Sequence, residues 1–284
     1  MSLTIIDAGS LTTIQDLGRS GVAHLGVPHA GALDARAAAL ANRLVGNQPG
    51  DALLETTVTG VSFELGEPRW IAVTGAACEV RVDDAAVAHG QAVWVPSGAR
   101  VVVGPASSGV RSCVAIAGGV DVHPVLGSRS TDTLAWVGPP RVVDGVVLPI
   151  GRPRRGPEPL DTPRPVATGP LRIVPGPRVD WFGDDVIRLL CVTTFEVMAA
   201  SNRVGLRLHG GPLERTRDTE PPRELPSEGM VAGAVQVPPD GQPVVFLADH
   251  PVTGGYPVVA VVLEEDLPSC AQMRPGERIR FRPA

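Results

Sequence analysis

Lysine is absent from the 284-residue sequence, and all 25 basic side chains are arginine. Schiff-base catalysis, attachment of pyridoxal phosphate and a covalently bound biotin each require a lysine amine, as does the phosphate-binding loop of the GK[ST] type. None of these chemistries can therefore reside on this chain. If the protein works with a nucleotide or with biotin, another chain must supply part of the machinery.

An excess of basic charge and long apolar runs are also missing. The net charge is −5 at pH 7, whereas a nucleic-acid partner needs a clustered basic surface. The one basic cluster, Arg152, Arg154 and Arg155, lies among prolines and is interpreted as a solvated linker. No apolar run approaches the roughly 18 residues of a membrane span, and the N-terminus has no basic segment. We expect neither membrane insertion nor export.

Motifs for metals and covalent catalysis are equally scarce. The histidines form no H-x-H or H-E-x-x-H pattern, so no metal site is expected. There is no G-x-S-x-G elbow, and the glycine-rich turns match no dinucleotide fingerprint. The four cysteines stand singly and without a C-x-x-C pair. They are predicted to be buried, reduced thiols of a cytoplasmic protein.

What is present is a strand-rich globular pattern, with 43% hydrophobic residues. Short β-branched segments at spacings of about 8 to 12 residues favour a β-barrel or sandwich. Residues 31–44 and 179–190 are predicted helices, the first with Asp34 near its start. A Pro- and Arg-rich linker at 151–170 separates a lobe at 1–150 from a lobe at 171–284. Strands are predicted at 58–65, 70–74, 79–82, 92–95, 100–103, 113–117, 171–174, 203–208, 234–237, 244–248, 258–262 and 278–281.

A first polar cluster lies between two glycine-rich turns just before the first predicted helix, and Asn42 belongs to it. Arg19 can hold a carboxylate through a forked pair of hydrogen bonds, while Asp16 or Gln15 polarises an amide or positions water. The alternative is that Asp16 and Arg19 pair with each other and pin a loop.

A second cluster combines Gly118 and Gly119 with residues 127–131. Backbone N–H groups in such a turn can cradle an anion, and Arg129 adds the countercharge. The alternative is a tight turn between strands.

The third cluster lies in the second lobe and contains the only tyrosine. Tyr256 follows two glycines and precedes a proline, where flexible backbone and a phenol can face a ligand. Gln236 and Asp249 accompany it, and Asn202 and Arg203 precede it in the chain. The alternative is that the ring of Tyr256 caps the core.

Taken together, these motifs occur in order along nearly the whole chain. They are TTIQDLGR at 12–19, ANRLVGN at 41–47, LGSRST at 126–131, QVPPDGQP at 236–243 and TGGYP at 253–257. The sequence resembles the carboxyltransferase family that includes the 5-oxoprolinase component PxpC, KipA and the protein formerly called allophanate hydrolase subunit 2.

The resemblance implies a mainly β fold of two cyclophilin-like β-barrel lobes with a few short helices. It implies an ATP-dependent enzyme that opens 5-oxoproline to glutamate, together with a PxpB/KipI-like partner and a PxpA-like subunit. The chain alone is expected to be inactive. Two alternatives stay open: a carboxyltransferase acting on urea or a related amide with biotin supplied in trans, and a regulatory module that antagonises a KipI-like kinase inhibitor.

The resemblance also implies a cleft shared by both lobes. Its expected catalytic residues are Gln15, Asp16 and Tyr256, and no metal is expected. Its expected substrate-binding residues are Arg19, Asn42, Arg129, Asn202, Arg203 and Gln236.

Overall fold

The computed structural model describes residues 1–159, 169–216 and 225–284. Their contacts divide them into two compact units. The first unit contains residues 1–20 and 30–159, and the second contains residues 21–29, 169–216 and 225–284. Part of the predicted linker, 160–168, lies outside the described residues, and the lobe boundaries stay a prediction.

The first unit is built from short antiparallel strands. They are β1 (Ser2–Asp7), β2 (Thr12–Gln15), β3 (Leu53–Thr57), β4 (Val61–Leu65), β5 (Arg69–Ala77), β6 (Val80–Val82), β7 (Ala85–Val87), β8 (Ala92–Val95), β9 (Arg100–Val103), β10 (Ser108–Ile116) and β11 (Val147–Pro149). One sheet has the order β11-β1-β4-β9-β6-β7, and the other has the order β2-β3-β10-β5-β8.

Alternating apolar side chains bury one face of each sheet against the other. In β9, Val101 and Val103 are buried while Arg100 is exposed, as the two-residue period of a strand requires. Phe63 of the first sheet and Val114 of the second belong to the same core cluster. The apolar surface removed from water between the sheets is the main stabilising contribution here.

Helix α1 (Ala35–Leu44) covers the other face of the second sheet. It begins after Asp34, whose side chain accepts a hydrogen bond from the backbone N–H of Ala37 at 2.9 Å. Its small buried residues Ala38 and Ala41 let the helix approach the strands closely.

The second unit contains strands β12 (Leu171–Pro175), β13 (Phe195–Val197), β14 (Gly205–His209), β15 (Glu228–Gly229), β16 (Ala234–Gln236), β17 (Val244–Phe246), β18 (Thr253–Gly254), β19 (Val258–Val262), β20 (Arg278–Ile279) and β21 (Phe281–Pro283), and helices α2 (Val186–Val192) and α3 (Leu267–Gln272). Its larger sheet has the order β20-β13-β14-β17-β16-β19-β12-β21. Only Arg280 separates the two edge strands in sequence, so the sheet curls into a nearly closed barrel. Strands β15 and β18 form a separate pair.

A mainly β fold with a few short helices is confirmed, and the cyclophilin-like character of the lobes stays a prediction. The helix predicted at 31–44 is α1, but the single helix predicted at 179–190 is wrong. The structure has a 3-10 turn at Val179–Trp181 and then α2, because Phe182 is extended and forms a β-bridge with Arg215. No helix in the described ranges is long and apolar enough to cross a membrane.

Candidate functional site

Asp16, directly after β2, joins the TTIQDLGR segment to the loop at residues 128–130. Its carboxylate accepts hydrogen bonds from the backbone N–H of Gly18 at 2.8 Å and of Arg129 at 2.6 Å. The hydroxyl groups of Ser128 and Ser130 also donate to it, each at 2.6 Å. Asp16 therefore fixes the shape of this loop, and its predicted catalytic role stays a prediction.

Gln15 lies inside the first unit, next to this loop. Its Nε2 donates to Thr13 Oγ1 at 3.0 Å and to the carbonyl of Thr131 at 2.9 Å. Gln15 Oε1 and Thr131 Oγ1 are buried and have no hydrogen-bond partner among the described residues. Because buried polar atoms are nearly always paired, these two atoms leave hydrogen-bonding capacity beside Asp16.

The predicted anion clamp Arg19 is only 2% exposed. Its Nη2 donates to the carbonyl of Ser130, so Arg19 and Asp16 hold the same loop. A Cβ at Gly138 would lie 2.2 Å from the Ser130 carbonyl oxygen and 2.7 Å from Arg19 Nη2. Only glycine fits there, and it also adopts a φ of +102°.

Arg129 lies at the outer side of the loop, where its guanidinium is partly exposed. Its Nε donates to the carbonyl of Val122 at 2.7 Å, and its Nη2 donates to Asp121 Oδ1 at 2.9 Å. The planar fork is therefore held in one orientation by two acceptors.

Beside Arg129 the first unit has a cavity of about 350 Å³. Its wall includes Gly118 and Gly151, whose backbones approach so closely that a Cβ at Gly118 would be 2.2 Å from the Gly151 oxygen. Arg152 and Arg154, interpreted from sequence as part of a solvated linker, also line it. That interpretation is corrected here, because three guanidinium groups and the two carboxylates of Asp51 and Asp121 border one cavity. This wall suits an anionic group.

Asn42 supports this cavity from behind and does not line it. From helix α1 its Nδ2 donates to the carbonyl of Asp51 at 2.7 Å, and its Oδ1 accepts from Asn47 Nδ2 at 3.0 Å. Asn47 Oδ1 in turn accepts from the backbone N–H of Gly118 at 2.8 Å. The contacts give Asn42 a positioning role, and direct substrate binding by it stays a prediction.

In the second unit, Arg203 and Asp249 form a buried bidentate ion pair. Arg203 Nε lies 2.9 Å from Asp249 Oδ2, and Nη2 lies 2.9 Å from Oδ1. The neighbouring Asn202 is exposed, and its Oδ1 accepts from the backbone N–H of Val204 at 2.9 Å and of Gly205 at 3.2 Å. Asn202 thus shapes the turn before β14.

Tyr256 is 45% exposed, so its ring does not cap the core. Gln236 is buried, and its Nε2 donates to the carbonyl of Tyr256 at 3.0 Å. Sequence reasoning missed two neighbours of Tyr256. Arg215 lies with its guanidinium carbon 5.9 Å from the ring centroids of both Tyr256 and Trp181. No local motif could have indicated this cluster, because its members are far apart in the chain.

Thiol chemistry and metal binding find no support in this geometry. All four cysteines are free. Burial raises the pKa of the Cys270 thiol to about 12, which keeps it protonated and inert as a nucleophile. No group of three or more His, Cys, Asp or Glu side chains in the described part of the chain could hold a metal ion.

Comparison with known proteins relates this chain to carboxyltransferase domains. The family described as "Carboxyltransferase domain, subdomain A and B" matches residues 25–283. In Escherichia coli, the 5-oxoprolinase subunit that is designated by the letter C is 40% identical over 283 residues, which are 98% of this chain and 90% of that protein.

Solved structures give the same relation. The crystal structure of TTHA0988 superposes with a TM-score of 0.88 at 36% identity, and the match covers 99% of this chain but 56% of that one. The urea amidolyase of Kluyveromyces lactis gives a TM-score of 0.91 at 29% identity, covering 99% of this chain and 18% of that one. The same fold thus also occurs within much longer chains.

Proposed function

The chain belongs to the family of carboxyltransferase domains with subdomains A and B, and from this membership we propose that it is a subunit of an ATP-dependent 5-oxoprolinase. The supporting observation is its 40% identity to the 5-oxoprolinase subunit of Escherichia coli, which extends over 98% of this chain. The enzyme converts 5-oxoproline, ATP and water to glutamate, ADP and phosphate.

The proposed complex contains a PxpB/KipI-like subunit and a PxpA-like subunit besides this chain, and the chain alone is inactive. The absence of lysine supports this view, since ATP chemistry commonly uses a lysine beside the phosphates. The cavity beside Arg129 fits an anionic group such as a phosphate or carboxylate, but no aromatic side chain among the described residues lines it to stack on an adenine ring. ATP is therefore assigned to the assembled complex.

A carboxyltransferase acting on urea or a related amide is the second candidate. It is favoured by the TM-score of 0.91 to the Kluyveromyces lactis urea amidolyase. Biotin in such enzymes is carried on a lysine, and this chain has none, so a separate carrier would have to present it. The free cysteines favour a reducing compartment, and we place the complex in the cytoplasm.

The test is reconstitution. The chain is co-expressed with subunits of the PxpB and PxpA type, and glutamate and phosphate are measured after adding L-5-oxoproline and ATP. We expect a stable complex that releases both products and a purified single chain that releases neither. Activity of the single chain would refute the subunit assignment. Carboxylation of urea with a biotin carrier, and no cleavage of 5-oxoproline, would establish the second candidate instead.

A further inference from the structure

Arg215 in the second unit is held in a fixed position by its backbone and by one side-chain hydrogen bond. It forms a β-bridge with Phe182, and the next residue, Thr216, donates its backbone N–H to the carbonyl of Trp181 at 3.0 Å. Arg215 Nη2 donates to the carbonyl of Val237 at 2.9 Å. The guanidinium is thus oriented before any ligand arrives.

Two aromatic rings flank this guanidinium. Its central carbon lies 5.9 Å from the ring centroid of Trp181 and 5.9 Å from that of Tyr256. Both distances are within the range of cation–π attraction. Contacts to ring faces leave the N–H groups, which lie in the guanidinium plane, available for hydrogen bonds.

The charge of Arg215 has no carboxylate within ion-pair distance among the described residues. Its Nε is buried without an acceptor in the same part of the chain. Burial lowers the pKa of Arg215, which shows that its environment disfavours the charged form. Other arginines of this unit have carboxylate partners: Arg172 with Asp266, Arg178 with Glu228, and Arg203 with Asp249.

The site is reachable from solvent along the ring of Tyr256. That ring is 45% exposed, and its backbone is tied down by the hydrogen bond from Gln236. The chain there is tightly packed, because a Cβ at Gly254 would lie only 2.8 Å from Gln236 Nε2. A ligand can therefore meet one face of a firmly placed Tyr256 while its anionic group reaches Arg215.

We propose that Arg215 binds the carboxylate of a small amide or lactam substrate, which lies against the Tyr256 ring. A desolvated, preoriented guanidinium without its own counterion favours a planar anion that accepts two parallel hydrogen bonds. The inference rests on the proposed function, since 5-oxoproline carries one carboxylate on a lactam ring. Trp181 acts as a positioning residue for the guanidinium.

The binding test uses the complex of the full chain with its partners. Isothermal titration calorimetry compares L-5-oxoproline with 2-pyrrolidone, the same lactam without the carboxylate. The variants are Arg215→Gln and, as a control, Arg188→Gln, because Arg188 is an exposed arginine of the same unit that pairs with Asp185. We expect R215Q to weaken 5-oxoproline binding at least tenfold, R188Q to leave it unchanged, and wild type to bind 2-pyrrolidone at least tenfold more weakly.

Steady-state kinetics separate this inference from the proposed function. R215Q should raise KM for 5-oxoproline much more than it lowers kcat. If R215Q fails to fold, R215K replaces it, because lysine keeps the charge but loses the planar fork. A complex that cleaves 5-oxoproline with unchanged KM and binding in the Arg215 variant would overturn the site and leave the function standing. Failure to cleave 5-oxoproline, with binding still dependent on Arg215 and on the carboxylate, would overturn the function and leave the site standing. Absence of 5-oxoproline binding by the wild-type complex would overturn the site.

Discussion

The carboxylate of Asp16 connects segments that lie 112 residues apart in the sequence. The sequence predicts that Asp16 polarises an amide or pairs with Arg19. In the structure its oxygens accept hydrogen bonds from Gly18, Ser128, Arg129 and Ser130. A carboxylate with this many donors stabilises the loop in a way that no neutral side chain of the same size can match.

Replacing Asp16 with Asn should therefore destabilise the chain. An amide keeps one acceptor oxygen but presents an NH₂ group to donors, so we expect a loss of about 2 kcal/mol in the free energy of unfolding. Urea denaturation measures this loss. The matched control is Asp240→Asn, because Asp240 accepts a hydrogen bond from the backbone N–H of Gln242 at 3.0 Å in an exposed turn. Equal effects of the two substitutions would contradict the structural role of Asp16.

Arg129 allows a prediction about activity at the same scale. Its fork contacts Val122 and Asp121 through different nitrogens, and lysine can supply only a point charge. We expect Arg129→Lys to lower the activity of the assembled complex at least about tenfold, equivalent to roughly 1.4 kcal/mol. The control is Arg81→Lys, since Arg81 is exposed and pairs with Glu79. Unchanged kinetics in a folded R129K complex would reduce Arg129 to a turn residue.

At the scale of elements, local signals explain which parts of the fold were predictable. Helix α1 was found because Asp34 caps it, alanines fill it and Gly46 follows it. Strands at 92–95, 100–103 and 258–262 were predicted with the observed bounds. Strand β2 was missed because its residues, Thr-Thr-Ile-Gln, are mostly polar and yet buried. Its pairing with β3 is tertiary information that hydrophobic periodicity does not contain.

The N-cap of α1 supplies the prediction at this scale. Asp34→Ala removes the acceptor for the Ala37 N–H, which should cost at least about 1 kcal/mol of stability. Asp34→Asn is the control, because asparagine caps helices about as well and should retain most of the stability. Thermal unfolding of both variants gives the comparison. Equal losses for D34A and D34N would show that charge, and not capping, gives Asp34 its value.

For the whole molecule, the site was predictable only where its residues share a segment or a motif. Gln15, Asp16 and Arg19 lie close together in the chain, and the loop that contains Arg129 meets them. The group of Arg215, Trp181 and Tyr256 depends on how distant segments of the second unit fold together. Sequence spacing cannot reveal such a group without an alignment or a structure.

The stability of the whole chain should also depend on pH through His250. Its imidazole is 7% exposed, and Nδ1 lies 2.7 Å from the carbonyl of Pro251. Burial, reinforced by the charge of His29, lowers the pKa of His250, while the Pro251 carbonyl and Asp249 oppose that shift. The unfolded chain binds a proton at this residue near pH 6.5, whereas the folded chain binds it only at lower pH.

Below about pH 6.5 the unfolded state is therefore favoured by its extra proton, and above that pH His250 adds no pH dependence. We expect the urea midpoint to fall between about pH 7.5 and about pH 5.5, and to fall less in His250→Asn. Comparing each protein with itself at the two pH values removes the general cost of the substitution, and circular dichroism at each urea concentration supplies the measurement. The same decrease in wild type and H250N would show that other groups carry the acid sensitivity. A midpoint of wild type that rises on acidification would contradict the direction of the shift itself.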